Sequence, residues 1–212
     1  MKIILLGAPG AGKGTLAQNL KTDYGYAHIS TGDILRENIA QKTKIGLQAK
    51  KLIEKGSLVP DEMIVKLLIE KINSLKTDDY IIDGFPRTLA QAKSLDKILK
   101  VDYVLSLKSS HEVVIDRLLN RLTCPNCKTI TNRKWLKDDV CPKCHKKLDL
   151  RLDDNEEAIR KRLEIYDENF KTILDFYKKL NILYEIQADE TPEKTYDLTK
   201  KIIRVKYDYQ EK

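Results

Sequence analysis

Five short apolar segments punctuate the chain and predict the strands of a sheet. Each segment is too short for a helix and is bounded by glycine or polar residues, which is typical of buried strands. The segments cover residues 3–6, 27–29, 80–83, 101–107 and 181–186. Apolar residues at helical spacing fill the intervals, so the pattern predicts an α/β protein in which strands and helices alternate.

Polar residues mark the starts of several predicted helices. A side-chain oxygen at such a position accepts a hydrogen bond from an otherwise unpaired backbone N–H group. The predicted caps are Ser30, Thr88, Ser109 in a capping box with Glu112, and Thr191 before Pro192. Two short helices are predicted within residues 34–55 and end at Gly56, so residues 30–59 are predicted to form a small helical insertion.

Two predicted helices carry arginines whose spacing is informative. Arg117 and Arg121 are four residues apart on the helix that follows residue 109, which places them on one face. Two arginines on one helix face more often belong to a solvent-exposed surface than to a binding site. Arg160 and Arg162 point to different faces of the long helix that begins after residues 151–157, so at most one is expected to join a site.

The first predicted strand runs into a glycine-rich loop, GAPGAGKGT at residues 7–15, and a helical pattern follows at once. Such a loop turns successive N–H groups toward one point, and the helix adds the partial positive charge of its N-terminus. Lys13 would add a cation, and the hydroxyl of Thr15 would help to hold magnesium. The common pattern has Ser or Thr directly after the lysine, where this chain has Gly14. A phosphate-binding loop is predicted, and a simple turn is disfavoured because strand and helix flank the loop.

Composition limits the classes of protein that the chain can form. Its 212 residues are enough for one domain with insertions and a substantial core. No apolar run approaches the ~20 residues that cross a bilayer, and the apolar start is too brief for a signal peptide. A cytoplasmic protein without a membrane partner is therefore expected. The net charge of +7 favours nucleotides, nucleic acids or acidic surfaces as partners and does not choose among them.

All four cysteines lie in two CxxC pairs, separated by thirteen residues: Cys124 with Cys127, and Cys141 with Cys144. In a cytosolic chain this clustering indicates a metal rather than disulfides. Four thiolates fill a tetrahedral site, so the metal is predicted to be structural; they favour zinc and leave iron open. The segment is too small and charged to bury a core, so the ion would supply its folding energy, on the order of 10 kcal/mol. Trp135 and Leu136 are predicted to cover the metal site or its hairpin.

Charged residues also follow the third predicted strand. Asp83 ends that strand, where P-loop enzymes place the acid that helps to hold magnesium. Arg87 comes four residues later, and the carboxyl end of a sheet strand faces the crevice in which α/β proteins bind ligands. His28, in the second predicted strand, is expected to be a packed residue rather than a catalyst.

Together these motifs resemble the adenylate kinases, in their long-lid, metal-containing bacterial form, over essentially the whole chain. The resemblance is carried by GAPGAGKGT at residues 7–15, STGDILR at 30–36, GSLVPD at 56–61, DGFPRT at 83–88 with Gln91, DRLLNR at 116–121, the two cysteine pairs, and RLDDNEE at 151–157. Nucleoside monophosphate kinases use the loop form with Gly14 before Thr15, so the departure noted above supports the resemblance.

The resemblance implies a doubly wound, five-stranded parallel sheet with two insertions. It divides the chain into core segments at 1–29, 60–120 and 156–212, an AMP-binding insertion at 30–59 and a zinc lid at 121–155. It further implies reversible, Mg²⁺-dependent phosphoryl transfer from ATP to AMP, giving two ADP, for adenine nucleotide balance and ADP synthesis by AMP salvage. A cytoplasmic monomer that binds no nucleic acid is expected.

The resemblance also assigns residues to two nucleotide sites. The implied ATP site comprises Gly10, Ala11, Gly12, Lys13, Gly14, Thr15, Arg117, Arg121, Ile130 and Thr131. The implied AMP site comprises Thr31, Arg36, Ser57, Leu58, Val59, Gly84, Phe85, Pro86, Arg87, Gln91, Arg151 and Arg162. Catalytic roles fall on Lys13, Asp83, Arg87, Arg121, Arg151 and Arg162. Metal-lid relatives usually have a tyrosine near Ile130 and Thr131, and the donor-adenine segment from Ala188 to Glu190 is not a clear match, so the choice of ATP or GTP stays open.

Two other functions compete with this interpretation. A zinc-ribbon ATPase that binds RNA would use the basic and aromatic residues between the cysteine pairs, but it leaves Arg36, Asp83 and Arg87 unexplained. A UMP/CMP kinase is the nearer rival, and Thr31, Gln91 and the long lid all disfavour it.

Overall fold

The computed structural model describes the backbone of residues 1–210 and the side chains of residues 1–203. The last two residues of the predicted core segment 156–212 therefore lie outside the described residues. Seven strands occur in this part of the chain: β1 (Lys2–Gly7), β2 (Ala27–Ser30), β3 (Tyr80–Asp83), β4 (Tyr103–Lys108), β5 (Arg121–Thr123), β6 (Ile130–Asn132) and β7 (Leu183–Gln187). Five of them form the main sheet, in the order β2-β3-β1-β4-β7, with every neighbouring pair parallel.

Eight α-helices connect and flank these strands within the described residues. They are α1 (Lys13–Tyr24), α2 (Thr31–Ala40), α3 (Lys44–Glu54), α4 (Asp61–Asn73), α5 (Leu89–Ile98), α6 (His111–Leu119), α7 (Glu156–Lys179) and α8 (Pro192–Gln210). A short 3₁₀ helix, Arg133–Trp135, follows β6. None of the described helices is both long and apolar enough to pass through a bilayer.

The central strand β1 shows why helices cover both faces of the sheet. Successive side chains of a strand point to opposite faces, and all four residues of its apolar run are buried. Ile3 and Leu5 belong to a cluster with α1, α6, α8 and the first half of α7, whereas Ile4 and Leu6 belong to a cluster with α4, α5 and the second half of α7. Burying each such side chain contributes about 1.5–3 kcal/mol. The result is the doubly wound α/β fold that the resemblance implied.

A separate small sheet lies outside this core. Strands β5 and β6 pair antiparallel within residues 121–155, and their hairpin is extended by a bridge between Thr123 and Asp149. Leu122 and Leu148 form its own apolar cluster with the cysteines, and Leu136 packs against it. Below, this segment is called the lid.

Local sequence signals placed most helix starts correctly. Ser30 and Thr88 each accept a hydrogen bond from the N–H group three residues later. The capping box at Ser109 was a wrong prediction, because α6 is capped one residue later, where Ser110 accepts from the N–H of Val113. Adjacent serines offer chemically equivalent caps, so the sequence alone does not choose between them.

Candidate functional site

The site lies at the carboxyl ends of the parallel strands, where the chain leaves β1 for the glycine-rich loop and β3 for residues 84–88. A cavity of about 940 Å³ opens there between the loop, the lid and the start of α8. A smaller cavity of about 50 Å³ adjoins it on the side of α2 and the 56–59 segment. Both are lined by Arg36, Arg87 and Arg162, so the cleft has two ends joined by arginines.

The glycine-rich loop leaves its backbone open to the larger cavity. Gly12 caps α1 at φ +95°, a conformation that favours glycine, and nothing lies within 4 Å of the position that a Cβ would take. Among the side chains that the structure describes, none caps this helix start, since Gly12 itself has no side chain. Lys13 Nζ donates to the carbonyl oxygens of Gly7 and Ala8, both at 2.8 Å. Burial lowers the pKa of Lys13 to about 8, although the nearby Asp83 carboxylate opposes the shift.

Gly14 marks the contact between the loop and the lid. A Cβ added at Gly14 would stand 2.8 Å from Cδ1 of Ile130 in β6. The lid hairpin therefore lies directly on the first turn of α1. An added Cβ would press only against the end of the flexible Ile130 side chain, so the contact indicates how closely the lid approaches the loop and does not by itself require glycine.

Asp83 ends β3 beside Lys13. Its carboxylate lies 3.5 Å from Nε2 of His28, and its backbone carbonyl accepts a hydrogen bond from the hydroxyl of Thr31 at 3.3 Å. Burial alone would raise the pKa of Asp83, but His28, Lys13 and Arg87 outweigh burial and hold that pKa below its usual range. An ionised carboxylate is a hard oxygen ligand that fits Mg²⁺. His28 packs within β2 as predicted, but it also lines the cleft, a position that was not predicted from sequence.

The smaller cavity contains most of the residues predicted for AMP. Its lining includes Thr31, Arg36, Ser57, Leu58, Val59, Gly84, Phe85, Arg87, Gln91 and Arg162. Pro86 and Arg151 line the larger cavity instead. Gln91 is only 3% exposed, and both ends of its amide are hydrogen-bonded. Its Oε1 accepts from the N–H of Arg87 at 2.7 Å, and its Nε2 donates to Asp61 at 2.6 Å.

Arg121, Arg151 and Arg162 gather near two aspartates at the base of the lid. The Asp154 side chain, 1% exposed, accepts hydrogen bonds from Arg121 at 2.5 and 2.7 Å and from Arg162 at 3.2 Å. Arg162 also pairs with Asp153 at 2.9 Å, and Arg151 donates to the hydroxyl of Thr123 at 2.9 Å. These contacts hold the guanidinium groups in fixed directions.

Positive charge is crowded at this point of the cleft. Loss of contact with water and, to a smaller extent, neighbouring arginines lower the pKa of Arg87 to about 10 and that of Arg151 to about 9. A cluster of like charges in a cleft draws anionic ligands. Asp153 and Asp154, the counter-charges of this cluster, were not assigned any role from sequence. Their sequence signal was their place in the motif RLDDNEE, two and three residues after Arg151.

The opposite wall of the larger cavity is formed by α6, β6 and the segment after β7. Arg117 donates to the carbonyl oxygens of Ala188, Asp189 and Glu190 at 2.8, 3.1 and 2.7 Å. The prediction that Arg117 and Arg121 share one helix face was wrong, because α6 ends at Leu119 and Arg121 belongs to β5.

Ile130 and Thr131 of β6 line the larger cavity, as does Trp135. Trp135 was predicted to cover the metal site or its hairpin. Instead its side chain is 65% exposed, and Leu136 alone of the two packs on the cysteine cluster. The chain just before Trp135 is held near the end of α6, because Lys134 pairs with Asp116 at 2.5 Å and the N–H of Arg133 donates to the carbonyl of Asn120 at 2.7 Å.

The four cysteines come together in the lid and form no disulfide. Their sulfur atoms all lie within 4.8 Å of one another. A zinc ion with Zn–S bonds of about 2.3 Å needs sulfurs about 3.8 Å apart, so the four thiols fit a tetrahedral metal site. The hydroxyl of Thr129 contacts the sulfur of Cys127 at 3.1 Å, and chiefly this contact lowers the pKa of Cys127 to about 6. A readily formed thiolate favours metal binding.

Two cavity ends on either side of an arginine cluster suit a transfer between two phosphate-bearing molecules. With the glycine-rich loop at the edge of a doubly wound sheet, they define the protein as a P-loop phosphotransferase. A model of the adenylate kinase family matches residues 5–182.

Similarity to individual proteins extends over nearly the whole chain. Adenylate kinase of Caldicellulosiruptor bescii is 39% identical over 213 residues, covering 96% of this chain and 98% of the relative. Adenylate kinase of Archaeoglobus fulgidus is 41% identical, covering 89% of this chain and 91% of the relative. That of Bacillus cytotoxicus is 40% identical, covering 92% and 95%. The chain belongs to the adenylate kinase family.

Proposed function

We infer that the cleft carries out reversible, Mg²⁺-dependent transfer of the γ-phosphoryl group of ATP to AMP, giving two ADP. The observation that carries this inference is the group of arginines, Arg36, Arg87 and Arg162, that lines both cavity ends. Phosphoryl transfer needs in-line positioning and neutralised charge more than a covalent nucleophile. The product would serve adenine nucleotide balance and the salvage of AMP.

The larger cavity is proposed as the donor end. The N–H groups of residues 10–15 would bind the donor phosphates, and Lys13 would turn from its two loop carbonyls toward the transferred group. Arg117 would lie against the donor nucleoside, supported by its three carbonyl contacts. Ile130 and Thr131 would close over the phosphates from the lid. The open backbone at Gly12 supports this assignment.

Asp83 is the residue that would hold Mg²⁺, together with the hydroxyl of Thr15. The ion supplies charge neutralisation between the phosphate groups when it is bound. Asp83 stays ionised because His28, Lys13 and Arg87 lower its pKa. Its fixed position at the end of β3 would orient the donor phosphates toward the arginine cluster.

The smaller cavity is proposed as the acceptor end. Thr31 and Gln91 would read the adenine, and residues 57–59 would cover it. Arg36 and Arg87 would clamp the AMP phosphate, while residues 84–86 carry Arg87 into place. Arg36 now pairs with Asp33 at 2.7 Å, and Arg87 Nε donates to the carbonyl of Gly84 at 2.8 Å. Both guanidinium groups keep further N–H donors for a phosphate.

The lid would complete the site when both nucleotides are bound. Arg121, Arg151 and Arg162 would neutralise the transferred group, and their contacts with Asp153 and Asp154 support a fixed geometry. Closure excludes water, which would otherwise take the phosphoryl group. We expect residues 30–59 and 121–155 to act as insertions on a core of 1–29, 60–120 and 156–212.

Zinc is the proposed metal of the four cysteines, in a structural role, because four thiolates leave no open coordination position. The proposed location is the cytoplasm, because its reducing conditions keep cysteines as thiols that can bind a metal. A monomer is proposed because one chain supplies both cavity ends and all the arginines between them.

Acceptor and donor preference test this function directly. Purified protein would be given Mg·ATP or Mg·GTP with AMP, CMP, UMP or GMP in turn, and diphosphate formation would be measured. We expect Mg·ATP with AMP to be strongly preferred. Preference for a pyrimidine acceptor would overturn the roles of Thr31 and Gln91, whereas RNA binding without transfer to any acceptor would overturn the kinase function.

A pair of matched arginine variants tests the arginine cluster. Arg87→Lys keeps the charge but loses the planar fork, so we expect the rate of ADP formation to fall by about a hundredfold. Arg160→Lys is the control, because Arg160 lies on the exposed face of α7. Equal rates in both variants would contradict the role of Arg87.

A further inference from the structure

Asp61 lies outside both cavities, yet it is bonded to a residue that lines one of them. It is the first residue of α4, at the end of the 30–59 insertion. Its carboxylate accepts a hydrogen bond of 2.6 Å from Nε2 of Gln91, thirty residues away in sequence. Gln91 faces the smaller cavity, and Asp61 is not part of the lining. Asp61 would therefore act on a bound nucleotide only through Gln91.

The two contacts of the Gln91 amide lock its orientation. A carboxylate only accepts hydrogen bonds and a backbone N–H only donates them. Asp61 therefore holds the nitrogen end of the amide, and the N–H of Arg87 holds the oxygen end at 2.7 Å. Exchanging the two ends would set Oε1 against the carboxylate and Nε2 against the N–H group, and both contacts would become repulsive.

A locked amide still has capacity for a ligand. Each amide carries two N–H donors and two acceptor lone pairs, so one donor and one lone pair remain after the two protein contacts. A 6-aminopurine presents a donor at N6 beside an acceptor ring nitrogen, which matches such an edge. A 6-oxopurine presents an acceptor at position 6 beside a donor at N1, which matches the reversed amide instead.

We propose that Asp61 is a positioning residue that fixes the orientation of Gln91 and thereby sets the preference for 6-aminopurine over 6-oxopurine acceptors. The proposal rests on the proposed contact of Gln91 with the acceptor base. It adds a residue outside the cavities, at the junction between the 30–59 insertion and the core, to the recognition of the base.

The test uses the full-length protein and four variants: Asp61→Ala, Asp61→Asn, Gln91→Ala and Glu62→Ala. Glu62 is the matched control, because it is also an exposed acid in the first turn of α4. KM for AMP, KM for Mg·ATP, kcat and the melting temperature would be measured. The ratio of kcat/KM for AMP to that for IMP would report discrimination at position 6 of the purine.

Asp61→Ala is expected to raise KM for AMP about three- to tenfold, because that factor corresponds to the loss of about one net hydrogen bond. The ratio of kcat/KM for AMP to that for IMP should fall by a similar factor. KM for Mg·ATP should stay unchanged. Asp61→Asn keeps an acceptor oxygen and should recover most of the loss, and Glu62→Ala should match the unmodified protein.

The possible outcomes distinguish a failure of the proposed contact between Gln91 and the base from a failure of the positioning role of Asp61. If Gln91→Ala leaves AMP and IMP discrimination unchanged, the proposed base contact itself is wrong. If Gln91→Ala loses discrimination while Asp61→Ala keeps it, only the positioning role is overturned. Equal rises of both KM values in Asp61→Ala, or an equal effect of Glu62→Ala, would show a purely structural role of the helix start.

Discussion

Single residues in the cleft hold charge in places where charge is costly. Lys13 is partly buried in the glycine-rich loop, and its pKa falls to about 8 because the charged amine loses contact with water. The partial compensation comes from Asp83 and from two backbone carbonyls, at Gly7 and Ala8. The phosphate groups of an anionic ligand would stabilise the charged amine more strongly than these protein groups do. Binding of such a ligand therefore favours the protonated form of Lys13.

The affinity for Mg·ATP should therefore depend on the protonation of Lys13. The amine is charged below its pKa of about 8 and neutral above it, so affinity should fall as pH rises through about 8, by about tenfold per pH unit at most. The dissociation constant would be measured between about pH 6.5 and 9.5. Lys13→Arg stays charged throughout this range, so its affinity should show no such fall. An equal fall in Lys13→Arg would assign the effect to another group.

At the scale of elements, Gly56 fixes how the 30–59 insertion meets α7. Its φ is +69°, and an added Cβ would stand 2.4 Å from the backbone carbonyl oxygen of Ala158 in the first turn of α7. A backbone atom cannot move aside as a flexible side chain can. The 56–59 segment, which lines the smaller cavity, therefore depends on this close approach.

Gly56→Ala should lower the free energy of unfolding by about 3 kcal/mol or more and should also raise KM for AMP. Gly25→Ala is the matched control. Its φ is +73°, but nothing lies within 4 Å of the added Cβ, so it should cost only the backbone strain of about 1–2 kcal/mol. Urea denaturation would measure both variants. Equal losses would contradict a steric role for Ala158.

At the scale of the whole molecule, the lid and the main sheet are stabilised by different means. The main sheet has apolar clusters on both faces, whereas the lid has one small cluster built largely from the cysteines. Without a bound metal that cluster is too small to offset the conformational entropy of the lid. The lid should therefore lose its structure independently of the core.

Cys141→Ser should abolish zinc binding, make the lid sensitive to protease and lower ADP formation about a hundredfold, because Arg121 would lose its position. The main sheet should stay folded. Metal content, limited proteolysis and circular dichroism would test this. Lys143→Ser changes an exposed neighbour in the same cysteine pair and should keep the zinc. Full unfolding of Cys141→Ser would show that the lid and the core fold as one unit.

The sequence by itself determined the features that depend on near neighbours. Residues 1–15 specify a strand, a glycine-rich turn and a helix start within fifteen positions, and the cysteine pairs specify a metal geometry through their spacing. Helix caps such as Thr88 bond a group only three residues away. Even here adjacent candidates compete, and the serine that caps α6 was predicted one residue early.

Only the tertiary structure decided contacts between groups that are distant along the chain. Asp154 meets Arg121, Asp61 meets Gln91 and His28 meets Asp83 across separations of 30 to 55 residues. Spacing carries no information about such pairs, because they depend on how the insertions fold back onto the sheet. The end of α6 at Leu119 likewise placed Arg121 in the lid, since the strand pairing of β5 overrides the helical pattern that the sequence continues.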